Sequence, residues 1–383
     1  VAYDFIIVGA GIAGITAAEQ LANIHNKKVL LIDKRDHIGG NCYDCYNDDG
    51  LLIHKYGPHI FHTDDRDVYD YLSLFTNWDI YNHKIVGKKE DMFIPLPLNL
   101  ISIDKCLPED SSKIKSALLK LYNVNDRIPL SDIEKIDNKY LKKFTEYIHI
   151  NSINYLEKEL GNSYNSLGHT IAGNIPIQVS YDCRYYLDLY QGIPTNGYTA
   201  MFENMLSNHN ITILLEKEYD ELIHVDYENK KLYYEDEEFK GKIIFTGQID
   251  EFFNYKYGKL EYKSSIIMNE TINQQYFQKN ATILYLDEYH FTQITEYKYL
   301  TGQQSNKTTI QFEFPIEYNS NFEERSIPHH LLTNNKNIEL YDKYKELTKD
   351  YPQITFIGQL NEYKKISMAT IVRNVLDLIK ELV

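Results

Sequence analysis

Four cysteines in 383 residues, Cys42, Cys45, Cys106 and Cys183, are too few for a disulfide scaffold. The single C-x-x-C pair has no second pair at zinc-finger spacing. Reduced thiols of a cytoplasmic protein are the expectation. Basic residues are also short: 40 Lys and Arg against 55 Asp and Glu leave a formal charge of −15. That balance opposes binding to nucleic acid or an anionic membrane, and no local basic patch stands out to reverse it. An anionic ligand must therefore meet cations placed one by one. No apolar run is long enough to span a bilayer, and the opening VAYDFIIVGAGIAGITAAEQL lacks the basic flank of a signal peptide. Gly/Ser linkers and low-complexity tracts are missing too. What remains, 43% hydrophobic residues over this length, is a globular chain of two or three domains.

Three kinds of region follow one another. YDFIIV reads as a buried strand, AGITAAEQLANI as a helix and KKVLLID as a second strand, a β-α-β opening. From about 105 to 165 the segments SSKIKSALLKLYNV, LSDIEKIDNKYLKKFTEYI and INYLEKELG have helical spacing, which predicts a helical insertion. Residues 211–246 and 260–316 hold short β-rich runs, among them ATILYLDEY and TTIQFEFPIEY, which fit an antiparallel sheet. The tail, ITFIGQL then SMATIVRNVLDLIKELV, is strand, turn and helix again. It matches the opening, so the first domain is expected to be discontinuous.

Gly9, Gly11 and Gly14 form G-x-G-x-x-G between strand and helix, and Asp33 ends the next strand. The first glycine serves a tight turn, the second admits a pyrophosphate and the third lets helix and strand touch. The phosphates then sit on the helix N-terminus at Ile12 and Ala13, with Asp33, beside Lys34, accepting from ribose. This is a dinucleotide site in its proper context. KRDHIGGN adds a second close approach at Gly39, Gly40 and Asn41, which simple NAD domains do not need. With Thr246 and Gly247, and with the returning segment that carries Gln359, Met368 and Ala369, these residues favour FAD over NAD.

IHKYGPHIFHT packs His54, His59 and His62 around Gly57-Pro58. His59 and His62 are i, i+3 rather than i, i+4, the turn breaks any helix through His54, and no acidic partner sits nearby in a ligand pattern, so a metal site is disfavoured. Two readings stay open: histidines satisfied by backbone hydrogen bonds beneath a core, or residues, with Ile60, lying against the cofactor.

With GAGIAG, KRDHIGGN and IHKYGPHIFHT in order, followed by NYLEKELG, YQGIPTNGYTAMFENML, FTGQIDEFF, YGKLEYKS and EYKKISM, nearly the whole chain resembles the UDP-galactopyranose mutase family. The resemblance implies an α/β fold: a Rossmann-like FAD-binding domain (1–80, 195–250 and 330–383), an inserted helical bundle (105–175) and a six-stranded antiparallel sheet domain (81–104, 176–194 and 251–329). It also implies a mutase that interconverts pyranose and furanose forms of a nucleotide-activated sugar. In that chemistry N5 of reduced FAD attacks the anomeric carbon, forming a flavin–sugar adduct without net redox change. His59 and His62 would flank the isoalloxazine and stabilise the reduced ring. Asn82, Tyr155, Tyr190, Asn280 and Lys365 would meet the nucleotide sugar. A homodimer is compatible with the family.

The sugar side departs from the family pattern. The arginine of D-R-Y-Q-G-I-P is Leu189, that of Y-T-R-I-I-E-H-K is Gln293, and that of G-G-R-L is Gln359. The tryptophan of E-K-Q-W-G is Leu160, a Tyr and an Asp near the C-terminus fall on Lys365 and Ser367, and a tyrosine pair falls on His329 and His330. Losing one partner of a buried charge pair costs about 2 to 5 kcal/mol, so two missing diphosphate arginines weaken binding by on the order of a thousandfold. Lys364, Lys365 and Arg184 are candidate replacements, though a lysine lacks the bidentate fork. Three functions follow from an intact flavin side and a rebuilt sugar side: a mutase on a different activated sugar, a flavin oxidoreductase, or a non-catalytic flavoprotein.

Overall fold

The structure is a computed structural model that describes residues 3–226, 229–319, 327–328 and 330–383. Its organising element is a parallel sheet in the order Ile211–Leu214, Val29–Ile32, Phe5–Val8, Lys242–Phe245, Ile354–Phe356. Every residue of Phe5–Val8 and Val29–Ile32 is buried, because helices or loops cover both faces and alternation has no solvent side to obey. Ile7 and Leu31 point into one core and Ile6, Leu30 and Phe245 into the other. The first core is closed by the C-terminal helix Met368–Leu382, whose Val372, Val375 and Ile379 lie against the Ile12–Glu19 helix. Strands and helices from both ends of the chain thus share one sheet and one core.

The insertion is helical: Leu100–Cys106, Ser111–Leu121, Lys139–Leu160 and Tyr164–Gly173. Asn138 caps the longest, accepting from the N–H groups of Tyr140 and Leu141. Its buried Leu141, Phe144, Ile148, Leu156 and Leu160 recur at helical spacing. Gly161, at φ +51°, ends it. About 33 Å of helix therefore carries Tyr155 and Glu159 toward the Thr308–Glu317 strand of the large sheet.

The third sheet differs from the expected six antiparallel strands. Among the described residues it has seven, in the order His330–Leu331, Tyr262–Ile272, Thr308–Glu317, Gln293–Glu296, Thr282–Tyr285, Ile85–Lys89, Met92–Leu96. The Ile85–Lys89 strand pairs in parallel with Thr282–Tyr285. That hairpin arrives from early in the chain, so no tight turn dictates its direction. His330–Leu331 joins this sheet at its edge rather than the dinucleotide domain.

Candidate active site

Where Phe5–Val8 ends, Gly9 turns the chain at φ +101° and the Ile12–Glu19 helix begins with no side chain bonded to its first N–H groups. Those donors, with the helix dipole behind them, are what a pyrophosphate binds. Gly40 closes over this turn so tightly that a Cβ on it would stand 2.8 Å from the Gly11 Cα. The Asp33 carboxylate accepts from the Ala10 N–H at 2.6 Å and the Arg35 N–H at 2.9 Å, which pins both loops and leaves lone pairs for ribose hydroxyls. Arg35, which the motif reading passed over, donates to Asn41 Oδ1 at 3.0 Å and lies 4.6 Å over the Tyr56 ring.

From this cradle a cavity of about 1310 Å³ runs to the helical insertion and the large sheet. Single-ligand pockets hold roughly 300–1,000 Å³, so there is room for a dinucleotide and a second ligand. The glycine cradle, the Asp33 carboxylate and this volume fit a flavin dinucleotide.

The three histidines have three environments. His54 is fully buried; its Nδ1 accepts the His59 N–H at 3.0 Å, and burial pulls its pKa down to about 3. It belongs to the core. His59 lines the cavity, with Nδ1 2.9 Å from the Gly57 carbonyl. A carbonyl only accepts, so Nδ1 carries the proton and Nε2 is the acceptor of a neutral ring. Burial lowers the His59 pKa against the opposing pull of Gly57, which makes this side chain a shaped acceptor rather than a cation. His62 does not line the cavity. It stacks on Tyr186 at 3.5 Å and bonds Asp188 at 3.1 Å. The strand alternation of Phe61–Thr63 turns it that way, and Tyr185, edge-on to Tyr186 at 5.0 Å, supplies the wall in its place.

The far end is built from side chains. Glu317, Lys263 and His330 stand opposite one another across three neighbouring strands, hence on one face. Lys263, with 4% of its side chain exposed, holds Glu317 at 2.8 Å. Gly161 makes room for that pair, since a Cβ there would meet Lys263 Nζ at 2.9 Å. Glu159 lines the cavity, 3.6 Å from His330 Nε2. Burial, then the neighbouring Glu313, pushes its carboxyl up to about 7 against Lys263, Lys365 and Lys158. Burial and the same two lysines, Lys365 and Lys263, pull His330 down to about 4. Behind this row Gln293 donates to Glu313 at 2.5 Å and Ser265 to its other oxygen at 2.7 Å. Burial raises the Glu313 pKa, and its side-chain partners, Ser265 and Gln293, are neutral donors.

The structure brings Gly9, Gly11, Ile12, Ala13, Asp33, Lys34, Gly40, Asn41, His59, Thr246, Gly247, Gln359, Met368, Tyr155 and Lys365 to one cavity wall. Other sequence candidates lie elsewhere. Gly14 packs on Gly9, where a Cβ would come within 1.9 Å of the Gly9 carbonyl, which is the contact its place in the motif requires. Ile60 is buried with Ile53 and Ile193, and Ala369 within the helix-packing core. Asn82 is exposed, Tyr190 stacks on Tyr69 at 4.3 Å, and Asn280 lends its carbonyl to Gln278. Leu189 is 81% exposed, and Arg184 is engaged by Asp182 at 2.8 Å. His329 lies outside the described residues. Lys263 and Glu159 went unsingled in the sequence. Lys263 is a charged residue within the buried run Tyr262–Ser265, and such a break in pattern is the signal that finds it; Glu159 follows Glu157 and Lys158, so nothing local marks it. The four cysteines are free, and the described residues contain no group of three or more His, Cys, Asp or Glu that could hold a metal. No described helix is long and apolar enough to cross a membrane.

Comparison with known proteins agrees with this layout. The sequence model of the UDP-galactopyranose mutase family matches residues 152–365, and that of an NAD(P)-binding Rossmann-like domain residues 7–75. A UDP-galactopyranose mutase from Mycoplasma genitalium is 33% identical over 96% of this chain and 91% of its own length. A dTDP-fucopyranose mutase from Escherichia coli is 28% identical over 97% and 96%. Among solved structures, reduced UDP-galactopyranose mutase superposes with a TM-score of 0.67 at 12% identity, covering 100% of this chain and 94% of that one, a likeness of fold.

Proposed function

The chain belongs to the UDP-galactopyranose mutase family of isomerases, and from that premise we propose that it binds FAD and interconverts the pyranose and furanose forms of a nucleoside-diphosphate sugar. One observation carries the reading: a single cavity joins a dinucleotide cradle to a wall bearing Tyr155, Glu159, Lys263 and Lys365. Bound and reduced, the flavin supplies the nucleophile for the anomeric carbon. The protein's part is positioning. The Ile12–Glu19 helix and Asp33 anchor the cofactor, His59 and Tyr185 shape the cavity walls, and Lys263 and Lys365 hold the diphosphate as it leaves. UDP-galactose and a dTDP-linked deoxyhexose are the first substrates to try, since those are what the relatives are named for. FAD-loaded, dithionite-reduced protein should convert at least one of a panel of UDP-, dTDP- and GDP-linked hexoses, read by chromatographic separation of the two ring forms. Conversion of none contradicts the reading.

A second reading draws on the far wall, which carries no arginine: among the described residues lining the cavity the one arginine is Arg35, at the cradle. A scaffold without diphosphate arginines suits an oxidoreductase or a flavin-holding paralogue. Substrate-dependent bleaching of oxidised flavin without air distinguishes the first of these, and micromolar binding of UDP-galactose argues against the second.

A further inference from the structure

Lys263 and Lys365 line the cavity together with Glu159, and both lysines act on the charge of that carboxylate. Glu159 projects from the last turn of Lys139–Leu160, next to the glycine that gives Lys263 its room. Its Oε1 lies 3.6 Å from the His330 ring. An incoming diphosphate therefore meets a carboxylate at the place where it needs the lysines. We propose that Glu159 competes with the diphosphate for Lys263 and Lys365, so that a nucleoside-diphosphate sugar binds with uptake of one proton at Glu159. This rests on the reading of the cavity as a nucleotide-sugar site and adds its linkage to pH.

The groups around Glu159 fix the sign. Its own helix presents Lys158 and Tyr155; the Thr308–Glu317 strand presents Glu313 and Glu317; Tyr262–Ile272 presents Lys263; the edge strand presents His330; and the C-terminal segment presents Lys365. Lys158 is spent on the carbonyls of Tyr285 and Asp287, each at 2.7 Å, whereas Lys263 faces the cavity and is shared with Glu317 at 2.8 Å. Glu313, with only neutral side-chain donors, adds repulsion from behind. With burial, these surroundings place the free carboxyl at about 7. A bound diphosphate adds negative charge and draws the lysines to itself, both of which favour the protonated acid. The acid is thus more protonated in the complex than in the free protein, and linkage makes binding weaken as pH rises above the free value. No bond is made or broken. A proton moves from water to the carboxylate on binding and returns on release.

The test is titration calorimetry of FAD-loaded, oxidised protein with UDP-galactose between pH 6 and 8.5, in pairs of buffers that differ in ionisation enthalpy. The diphosphate of a nucleotide sugar does not titrate in this range, so the protons counted belong to the protein. Wild type should take up about one proton at pH 8, with Kd rising about tenfold per pH unit above 7 and levelling below it. Glu159→Gln should bind with little dependence on pH and several-fold more tightly than wild type at pH 8. His330→Asn should keep the wild-type slope. Flat binding by wild type, or a slope that survives in Glu159→Gln or vanishes in His330→Asn, overturns the proposal and leaves the site reading intact. Failure of both wild type and Glu159→Gln to bind at any pH, with dTDP-galactose as well, overturns the site reading together with it.

Discussion

The two ends of the cavity are built from different materials. At the cradle the chain meets its ligand with backbone: N–H groups of a helix start, two glycines in contact, and one carboxylate pinned by two main-chain donors. At the far end the contacts are side chains on three separate elements, a helix, a sheet and the C-terminal segment. Backbone sites depend on conformation, and few sequences satisfy them, so they change little. Side-chain sites can be exchanged one residue at a time while the fold stands. That difference lets one chain keep a dinucleotide motif while the side chains at the other end of the cavity are exchanged.

The largest expected effect breaks the cradle. Gly40→Val adds a branched side chain where even a Cβ lies 2.8 Å from Gly11 at a φ of +56°, so flavin retention should fall at least about a hundredfold. The check is flavin absorbance per protein after gel filtration, with circular dichroism to confirm that the fold persists. Next comes the far end alone. Lys263→Ala with Lys365→Ala should weaken UDP-galactose binding by about a hundredfold or more and leave flavin content unchanged, as calorimetry and absorbance on one preparation would show. Loss of flavin in the double variant would erase the distinction between the two ends.

A smaller contrast separates the histidines. His59→Ala removes a cavity wall and should lower kcat by about tenfold or more, about 1.4 kcal/mol of barrier. His62→Ala acts from behind Tyr186 and should stay within about threefold of wild type in the same steady-state assay. The smallest effect lies outside both ends. Ser367→Ala deletes the cap that accepts the Thr370 N–H at 3.1 Å, costing about 1 kcal/mol of stability, which a urea midpoint would register without altered nucleotide binding.

Legibility in the sequence follows the same division. The β-α-β opening, the glycine triplet, Asp33 and the returning C-terminal strand and helix announce themselves, because each rests on local conformation and periodicity. The resemblance adds the order of the domains, but the number and mixed direction of strands in the large sheet depend on where an early hairpin docks, which no local pattern states. At the site, His59 and Tyr155 line the cavity, while His62, Tyr190 and Asn280 do not: a motif marks a segment, and strand alternation decides which side chain faces the cavity. Lys263, Glu159 and Glu313 are assembled from segments about 50 to 150 residues apart, and only the folded chain shows that they are neighbours.

The central claim is that one cavity holds a flavin at the glycine end and a nucleotide sugar at the lysine end. The most direct measurement is the visible difference spectrum of the FAD-loaded protein during titration with UDP-galactose, repeated with Lys263→Ala and Lys365→Ala combined. The wild type should show a saturable perturbation of the flavin bands that is lost in the double variant. A protein that takes up no FAD, or whose flavin spectrum is the same with and without bound nucleotide sugar, contradicts that claim.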